Sequence, residues 1–175
     1  SLHHEFGHTM IYVTHDQTEA LTFADKVVVM YDGRVVQMGT PQQLFETPEH
    51  TFVGYFIGSP GMNVLDAKVT GDTAVLAGTQ ISLGKAFGTP TGKVELGVRP
   101  EFTSLQAGDT GLPVTIKRIE DVGRHKIVRT DFHGTEINVI AAEGAHISPD
   151  MNRVVFDPAG INVYADSWRV APEAV

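Results

Sequence analysis

His15 lies where a short apolar run meets the start of a helix, and this junction has the residue types that phosphate chemistry needs. Residues 10–13 are continuously apolar, which is typical of a strand covered on both faces in a parallel sheet. Asp16, with Glu19 three residues later, resembles the capping box of a helix start. Open α/β sheets bind ligands at such strand-to-helix switches, where helix amides point into the crevice. The spacing makes His15 a candidate hydrogen-bond donor to a phosphate; the alternative is a histidine that only caps or packs against the turn.

A second pattern is that of the zinc peptidases, H-E-x-x-H, in which two histidines on one helical face bind the metal and the glutamate activates water. The stretch that matches it is His4-Glu5-Phe6-Gly7-His8. Its glycine interrupts the helix that the motif needs, and the further histidine of the extended pattern would fall at Thr14, one residue before His15. The sequence therefore favours a histidine-rich helix end, and we expect no metal ligands.

Other polar residues of the second half are interpreted as structural. His125, His133 and His146 fall in or near turns and lack partners at metal-site spacing. Glu120 and Asp121 are neighbours in a predicted strand, so their side chains point to opposite faces and do not form an acid/base couple.

Arg99 ends a regular strand and is followed by Pro100. A guanidinium fixed in this way could bind a carboxylate or an oxyanion, and it could equally pair with a nearby acid such as Glu101. The structural alternative is favoured, because exposed ion pairs of this kind are common and weak.

Composition narrows the function classes. The 175 residues carry a formal net charge of −8, and their lysines and arginines are scattered, which excludes the basic footprint of a nucleic-acid binder. The absence of cysteine excludes disulfides and thiolate metal sites. No apolar run has the length of a membrane span and no signal peptide opens the chain, so we expect a soluble protein. Because Ser1 begins inside an apparent helix, we expect the chain to be the tail of a longer one.

Short-range signals predict a hairpin and short helices up to residue 60. A helix follows Asp16, and the apolar segments 26–31 and 34–38 flank Asp32-Gly33, a dipeptide typical of tight hairpin turns. Residues 40–43 supply a threonine N-cap, a proline and a glutamine at helix-start spacing, and 47–48 repeat the first two.

Beyond residue 60 short alternating segments are separated by glycine, proline and aspartate, and no helix is predicted. The predicted strands are 62–69, 73–76, 80–83, 93–99, 112–121, 126–132, 135–141, 152–156 and 161–165. In 93–99 the apolar residues alternate with Glu95 and Gly97, which predicts one buried and one wet face. His133-Gly134 and Ala159-Gly160 are predicted hairpin turns. The fold class is therefore α+β: an incomplete α/β part over 1–60, and an all-β barrel of the oligonucleotide/oligosaccharide-binding (OB) type over 61–175.

With these residues laid out, the chain resembles the carboxy-terminal part of the ATP-binding subunit of carbohydrate-type ABC importers, the maltose and glycerol-3-phosphate transporter group. The residues that carry the resemblance are Ile11-Tyr12-Val13-Thr14-His15-Asp16-Gln17, Glu19-Ala20, Ala24-Asp25, Val29-Met30, Gly33, Gly39-Thr40-Pro41, Pro48, Phe52-Val53, Phe56-Ile57-Gly58-Ser59-Pro60, Met62-Asn63 and Gly97-Val98-Arg99-Pro100-Glu101. The likeness is strong to about residue 65 and looser beyond.

The resemblance implies that His15 is the switch histidine, which contacts the γ-phosphate of ATP, with Mg as the accompanying ion. It implies that the β module is the regulatory (TOBE) domain, which pairs with a second copy in a homodimer and can receive a regulatory protein. The full subunit would be a transport ATPase on the cytoplasmic face of the membrane. It would act with permease subunits and a solute-binding protein to import a sugar, polyol or glycerol-3-phosphate.

The family's phosphate-binding loop, Walker B pair, glutamine loop and signature sequence are not found in these residues. We therefore expect the chain alone to hold no cofactor and to neither bind ATP tightly nor hydrolyse it. Because segments 10–14 and 26–31 are patterned for two covered faces, we also expect self-association. The competing interpretation is a stand-alone β module that binds a small oxyanion or sugar.

Overall fold

The protein is described by a computed structural model that covers residues 9–174. It is an α+β chain dominated by short strands, as the sequence predicts. The helices are α1 (Gln17–Phe23), α2 (Pro41–Glu46) and α3 (Thr51–Phe56). None of the helices within residues 9–174 is both long enough and apolar enough to span a bilayer.

The strands divide into a hairpin and a β module. The hairpin is β1 (Val27–Tyr31) and β2 (Arg34–Gly39). The module contains β3 (Asn63–Asp66), β4 (Lys68–Thr70), β5 (Thr73–Leu76), β6 (Thr79–Ser82), β7 (Val94–Val98), β8 (Thr103–Gln106), β9 (Leu112–Pro113), β10 (Thr115–Asp121), β11 (His125–Phe132), β12 (Thr135–Ala142), β13 (Arg153–Phe156), β14 (Ile161–Ala165) and β15 (Trp168–Val170). Short 3-10 turns lie at Pro100–Phe102 and Pro158–Gly160.

The hairpin forms as its turn residues predict. Asp32 and Gly33 both have positive φ, 51° and 72°, and the strands pair antiparallel with a bulge between Val29 and Met30. The inner face of the hairpin packs against the three helices. The buried residues of this first cluster are Val27, Val29, Val36, Leu44, Val53 and Ile57.

The predicted strand over 10–14 is wrong. These residues form no strand, and Ile11 and Val13 are 92% and 88% exposed. An apolar run becomes a strand only when neighbouring strands accept its backbone hydrogen bonds, and within residues 9–174 none pairs with it. For the same reason β1 is covered on one face rather than two, since Val28 and Met30 are 50% and 60% exposed.

One helix start is confirmed and another is wrong by three residues. Thr40 caps α2, with its hydroxyl accepting from the Gln43 amide and the Gln43 side chain returning to the Thr40 amide. Thr47 does not open α3; it ends α2, donating its amide to the Gln43 carbonyl. His50 caps α3 instead, through Nδ1, which accepts from the Phe52 amide at 3.0 Å. Histidine is not among the residues that usually signal an N-cap, so the sequence points to the wrong position.

The β module consists of small antiparallel sheets around one core, in agreement with the predicted OB-type barrel. The strand orders are β15-β14-β7-β3, β4-β5-β6, β8-β13-β9 and β10-β11-β12. The larger core residues include Leu65, Leu76, Leu83, Leu96, Leu112, Val128, Ile137, Val139, Val154 and Val163. Strands β8 and β15 were not predicted, and the predicted strand 62–69 is divided into β3 and β4.

Two details of the predicted module are wrong. The face of β7 that carries Glu95 and Gly97 is buried rather than wet, because Met62 and Tyr164 lie over it; a Cβ at Gly97 would come within 2.6 Å of both side chains. The segment Pro158–Gly160 is a 3-10 turn between strands of different sheets, not a hairpin turn.

The hairpin cluster, which is the hairpin with its three helices, meets the β module along one junction. The domain boundary at residue 60 stays a prediction. Tyr164 of β14 is fully buried and donates its hydroxyl proton to the Pro48 carbonyl at 2.7 Å. Residues 49–51 add to the edge of β15, with the Thr51 amide donating to the Ser167 carbonyl at 3.0 Å. The ring of His50 meets that of Trp168 edge-on, with centroids 4.7 Å apart.

We predict that Tyr164→Phe destabilises the chain by about 1–2 kcal/mol, because the Pro48 carbonyl then loses its buried donor. The expected readout is a lower midpoint in urea unfolding with an unchanged slope. Tyr55→Phe is the control, since Tyr55 is 58% exposed and should change stability little. Equal stabilities for Tyr164→Phe and the wild type would contradict the assignment of this hydrogen bond.

We predict that the junction weakens in mild acid through His50. Burial lowers the pKa of His50 below its ordinary value of 6.5, and Nδ1 must be unprotonated to accept from the Phe52 amide. As the pH falls below 6.5, His50 is therefore protonated in the unfolded chain before it is protonated in the folded chain. The contribution of His50 to stability is thus complete above pH 6.5 and is lost as the pH falls.

The measurement is urea unfolding between pH 5 and 8, followed by the fluorescence of Trp168, the only tryptophan. His50→Asn should flatten the pH profile, because asparagine can still cap the helix without titrating. His146→Asn, at an exposed position, should keep the wild-type profile. A profile that is the same in His50→Asn and the wild type would assign the acid sensitivity elsewhere.

Candidate functional site

His15 lies in the bend just before α1, and its side chain is exposed. Asp16 caps the helix, its Oδ1 accepting from the amides of Thr18 and Glu19 at 2.8 and 3.3 Å. These amides are therefore already used, so the helix start does not offer them to a ligand as the sequence suggested. The exposed imidazole of His15 is the side chain that can reach an anion at this bend.

The predicted capping box is formed only in part. Glu19 does not return to the Asp16 amide; its carboxylate accepts from the Thr14 hydroxyl at 2.7 Å. Thr14 Oγ1 in turn accepts from the Asp16 amide at 2.9 Å. The residues on both sides of His15 are thus fixed to each other by side-chain hydrogen bonds, although residues 9–13 before them form no strand.

Gln17 connects this bend to the end of α3. Its Oε1 accepts from the Gly58 amide at 2.8 Å, and its Nε2 donates to the Gly58 carbonyl at 3.4 Å. Helix α1 has no fully buried residue; it packs against the hairpin cluster through Ala20 and Leu21, and the Gln17 pair ties its first turn to Gly58. In the sequence Gln17 is part of the segment 11–17 that carries the family resemblance, but nothing there indicates that it binds Gly58.

Arg99 has the structural role that the sequence favoured, but its partners are backbone carbonyls, not Glu101. It is 4% exposed; its Nε donates to the Phe45 carbonyl at 3.0 Å, and its Nη1 donates to the carbonyls of Gly54, at 3.1 Å, and Ile57. Its guanidinium lies 4.3 Å from the centroid of the Phe45 ring. Burial lowers the pKa of Arg99 to about 10, so it stays charged at neutral pH.

The remaining sequence candidates within residues 9–174 do not form a second site. Glu120 accepts from Arg129 through both oxygens, at 3.0 and 3.2 Å, and the hydrogen bond from Arg129 lowers the pKa of Glu120. Within residues 9–174 no group of three or more histidines and carboxylates could hold a metal ion. The zinc-peptidase match at positions 4–8 lies outside the described residues.

Two shallow depressions, of about 340 and 330 Å³, lie near the junction, and His15 lines neither of them. The first is lined by Gln37, whose side chain is already bonded to the Thr47 carbonyl and the Glu49 amide. The second lies beside Asn63, whose side chain is bonded to the backbone of Asn138. The amide groups of Gln37 and Asn63 are therefore paired within the protein and are not free to bind a ligand in these depressions.

Comparison with known proteins agrees with the resemblance. Residues 58–102 match the family described as the MalK OB fold domain. The sn-glycerol-3-phosphate import ATP-binding protein UgpC 1 of Rhizobium johnstonii is 39% identical, over 99% of this chain and 49% of its own length. UgpC of Vibrio vulnificus strain CMCP6 is 41% identical, over 76% and 36%, and UgpC of Jannaschia sp. is 33% identical, over 97% and 48%.

An uncharacterized ABC transporter ATP-binding protein of Sinorhizobium fredii, y4oS, is 40% identical over 85% of this chain and 41% of its own length. The chain spans half or less of the length of these curated relatives. The OB-fold match and the relatives together show that residues 58–102 match a MalK-type OB-fold domain and that the chain, over most of its length, is similar to part of the ATP-binding subunits of ABC importers.

Proposed function

We propose that this chain is part of the subunit that couples ATP hydrolysis to import of a sugar, polyol or glycerol-3-phosphate, and that His15 contacts the γ-phosphate of ATP. The observation that carries the proposal is the exposed imidazole at a bend whose flanking residues are fixed, in a chain similar to these subunits. The names of the relatives support glycerol-3-phosphate as one transported solute.

His15 would act by hydrogen bonding. Phosphoryl transfer depends on positioning and on neutralising charge that spreads over the transferred phosphoryl oxygens. An imidazole N–H aimed at one of these oxygens stabilises that charge, and a single preorganised donor contributes about 10²–10³-fold in rate. The fixed bend matters because a donor that needs no reorganisation during the reaction is the more effective one.

The described residues fit an incomplete ATP site. They would supply one phosphate contact, and residues 9–174 contain no cluster of three or more histidines and carboxylates that could hold a metal ion by itself. The other phosphate and Mg ligands would have to come from residues beyond the described ones. ATP with Mg supplies the reacting phosphoryl group, while this chain contributes a donor and its positioning.

An unpaired apolar face supports the proposed assembly. On the outer side of the hairpin, Val28 pairs with Met38 and Met30 with Val35, and all four are between 50% and 64% exposed. Such a face is a contact surface in most soluble proteins. We propose that the rest of the ATP-binding unit covers it, and that without that unit two copies of this chain cover each other.

The same proposal includes the wider assembly. Permease subunits and a solute-binding protein would be partners of the full subunit at the cytoplasmic face of the membrane, and the β module would pair with a second copy and could receive a regulatory protein. The net charge of −8 is consistent with protein partners rather than nucleic acid.

We predict that His15→Ala in the complete ATP-binding subunit lowers the rate of ATP hydrolysis about 10²-fold or more while leaving ATP affinity within a few-fold. The measurements are steady-state phosphate release and binding of a fluorescent ATP analogue. His146→Ala, at an exposed position of the β module, is the control. Hydrolysis at the wild-type rate in His15→Ala would remove the proposed role.

We predict that this chain alone self-associates and that Met30→Glu raises the concentration at which it does so, because a buried charge disfavours the apolar contact. Light scattering over a concentration series measures the effect. Val122→Glu is matched in exposure, 49% against 60%, but lies outside the hairpin face and should associate as the wild type does. A monomeric wild type at high concentration would contradict the proposal.

A further inference from the structure

The peptide group between Ile57 and Gly58 is held at both ends by side chains from different parts of the fold. Its carbonyl, on Ile57, accepts from Arg99 Nη1. Its amide, on Gly58, donates to Gln17 Oε1 at 2.8 Å. One rigid, planar unit therefore stands between Arg99 and Gln17, whose side chains are not hydrogen-bonded to each other.

The two bonds should reinforce each other. A donor at the carbonyl polarises the peptide group and makes its N–H a better donor, so the contact from Arg99 strengthens the contact to Gln17. The close approach requires glycine: φ of Gly58 is +114°, and a Cβ there would lie 2.7 Å from Arg99 Nη1.

The Ile57–Gly58 peptide group contacts the β module through Arg99 and helix α1 of the hairpin cluster through Gln17. Arg99 directly follows β7, one of the two inner strands of the β15-β14-β7-β3 sheet, and is almost fully buried. Gln17 is the first residue of α1, next to the capping Asp16 and two residues after His15. Helix α1 packs against the hairpin cluster through the partly buried Ala20 and Leu21, and Gln17 adds its hydrogen bonds to the backbone of Gly58.

We propose that Gln17 is a positioning residue for His15, and that the Ile57–Gly58 peptide group transmits displacement of the β module to it through Arg99. A movement of the end of β7 relative to α3 pulls on the Ile57 carbonyl, tilts the peptide plane and changes the bond to Gln17. The catalytic consequence rests on the proposed function of His15; the mechanical link does not.

The first test measures the link in this chain without ATP. Gln17→Met keeps the length of the side chain and removes both of its hydrogen bonds, so the Gly58 amide should exchange with solvent about tenfold faster by NMR. Gln17→Glu retains an acceptor for this amide and should recover part of the protection. Gln42→Met is the control, since Gln42 is exposed and its side chain donates to the exposed Glu46. Wild-type exchange at Gly58 in Gln17→Met would overturn the proposal.

The second test asks whether the two ends communicate. Arg99→Lys keeps the charge but loses the fork that reaches several carbonyls, so the side-chain amide signals of Gln17 and the imidazole signals of His15 should shift. Arg34→Lys, on the exposed hairpin turn, should leave both in place. Unshifted Gln17 signals in a folded Arg99→Lys chain would overturn the link. If that chain does not fold, the reciprocal measurement decides: Gln17→Met must shift the Arg99 Nε–H signal.

The third test addresses catalysis in the complete subunit. Gln17→Met should lower kcat several-fold with little change in KM, and Gln17→Glu should restore part of kcat. Full kcat in Gln17→Met would overturn the positioning role. If His15→Ala itself leaves hydrolysis intact, the proposed function fails, and the exchange and shift measurements still decide whether the mechanical link exists.

Discussion

The burial of the Arg99 guanidinium between two helix ends is the interaction on which the junction depends. The carbonyls that receive it belong to the last turns of α2 and α3, where helix carbonyls lack partners within the helix and the macrodipole is negative. A buried cation is costly unless such groups surround it. Its pKa falls to about 10 because of that cost, and Nη2 has no hydrogen-bond partner among the described residues. Arginine suits the position because its fork reaches several carbonyls at once.

Around this centre the junction is made largely of backbone contacts. Tyr164 binds the Pro48 carbonyl, the amides of Thr51 and Arg169 extend β15, and Arg169 pairs with Glu49 at 3.2 Å. These contacts require particular backbone positions more than particular side chains on the helical side. The hairpin cluster and the core of the β module therefore remain separate clusters, with Met62, Val64 and Tyr164 as a small third one, while the hairpin unit and the β module are still held in one geometry.

The sequence predicts those features of the structure that depend on neighbouring residues, and it fails for those that depend on distant ones. The Asp32-Gly33 turn and the Thr40 capping box depend on a few neighbouring residues, and both are confirmed. The prediction of a strand over 10–14 is wrong because strand formation depends on partner strands. The prediction of a solvent-exposed face on β7 is wrong because Met62 and Tyr164, which cover it, come from distant segments.

For the candidate site the sequence identified His15, but only the family resemblance assigned its role, which stays a prediction. The groups that hold the site were not predictable: Gln17 and Gly58 are 41 residues apart, and Arg99 and Ile57 are 42 apart. A backbone amide or carbonyl leaves no mark in the sequence that shows which distant side chain it will bind. That is why Arg99 could be read as structural from its strand-end position, while its actual partners could not be named.

A link that runs through a backbone peptide group has a thermodynamic consequence. Coupling between two sites is reciprocal in free energy, so a ligand that shifts the β module and thereby weakens the position of His15 must itself bind less well when His15 is engaged. The small number of contacts also bounds the effect, because two or three hydrogen bonds carry at most a few kcal/mol. A coupling of that size corresponds to regulation of a rate by about ten- to a hundredfold rather than to complete control, and it requires no contact between a regulator and the nucleotide.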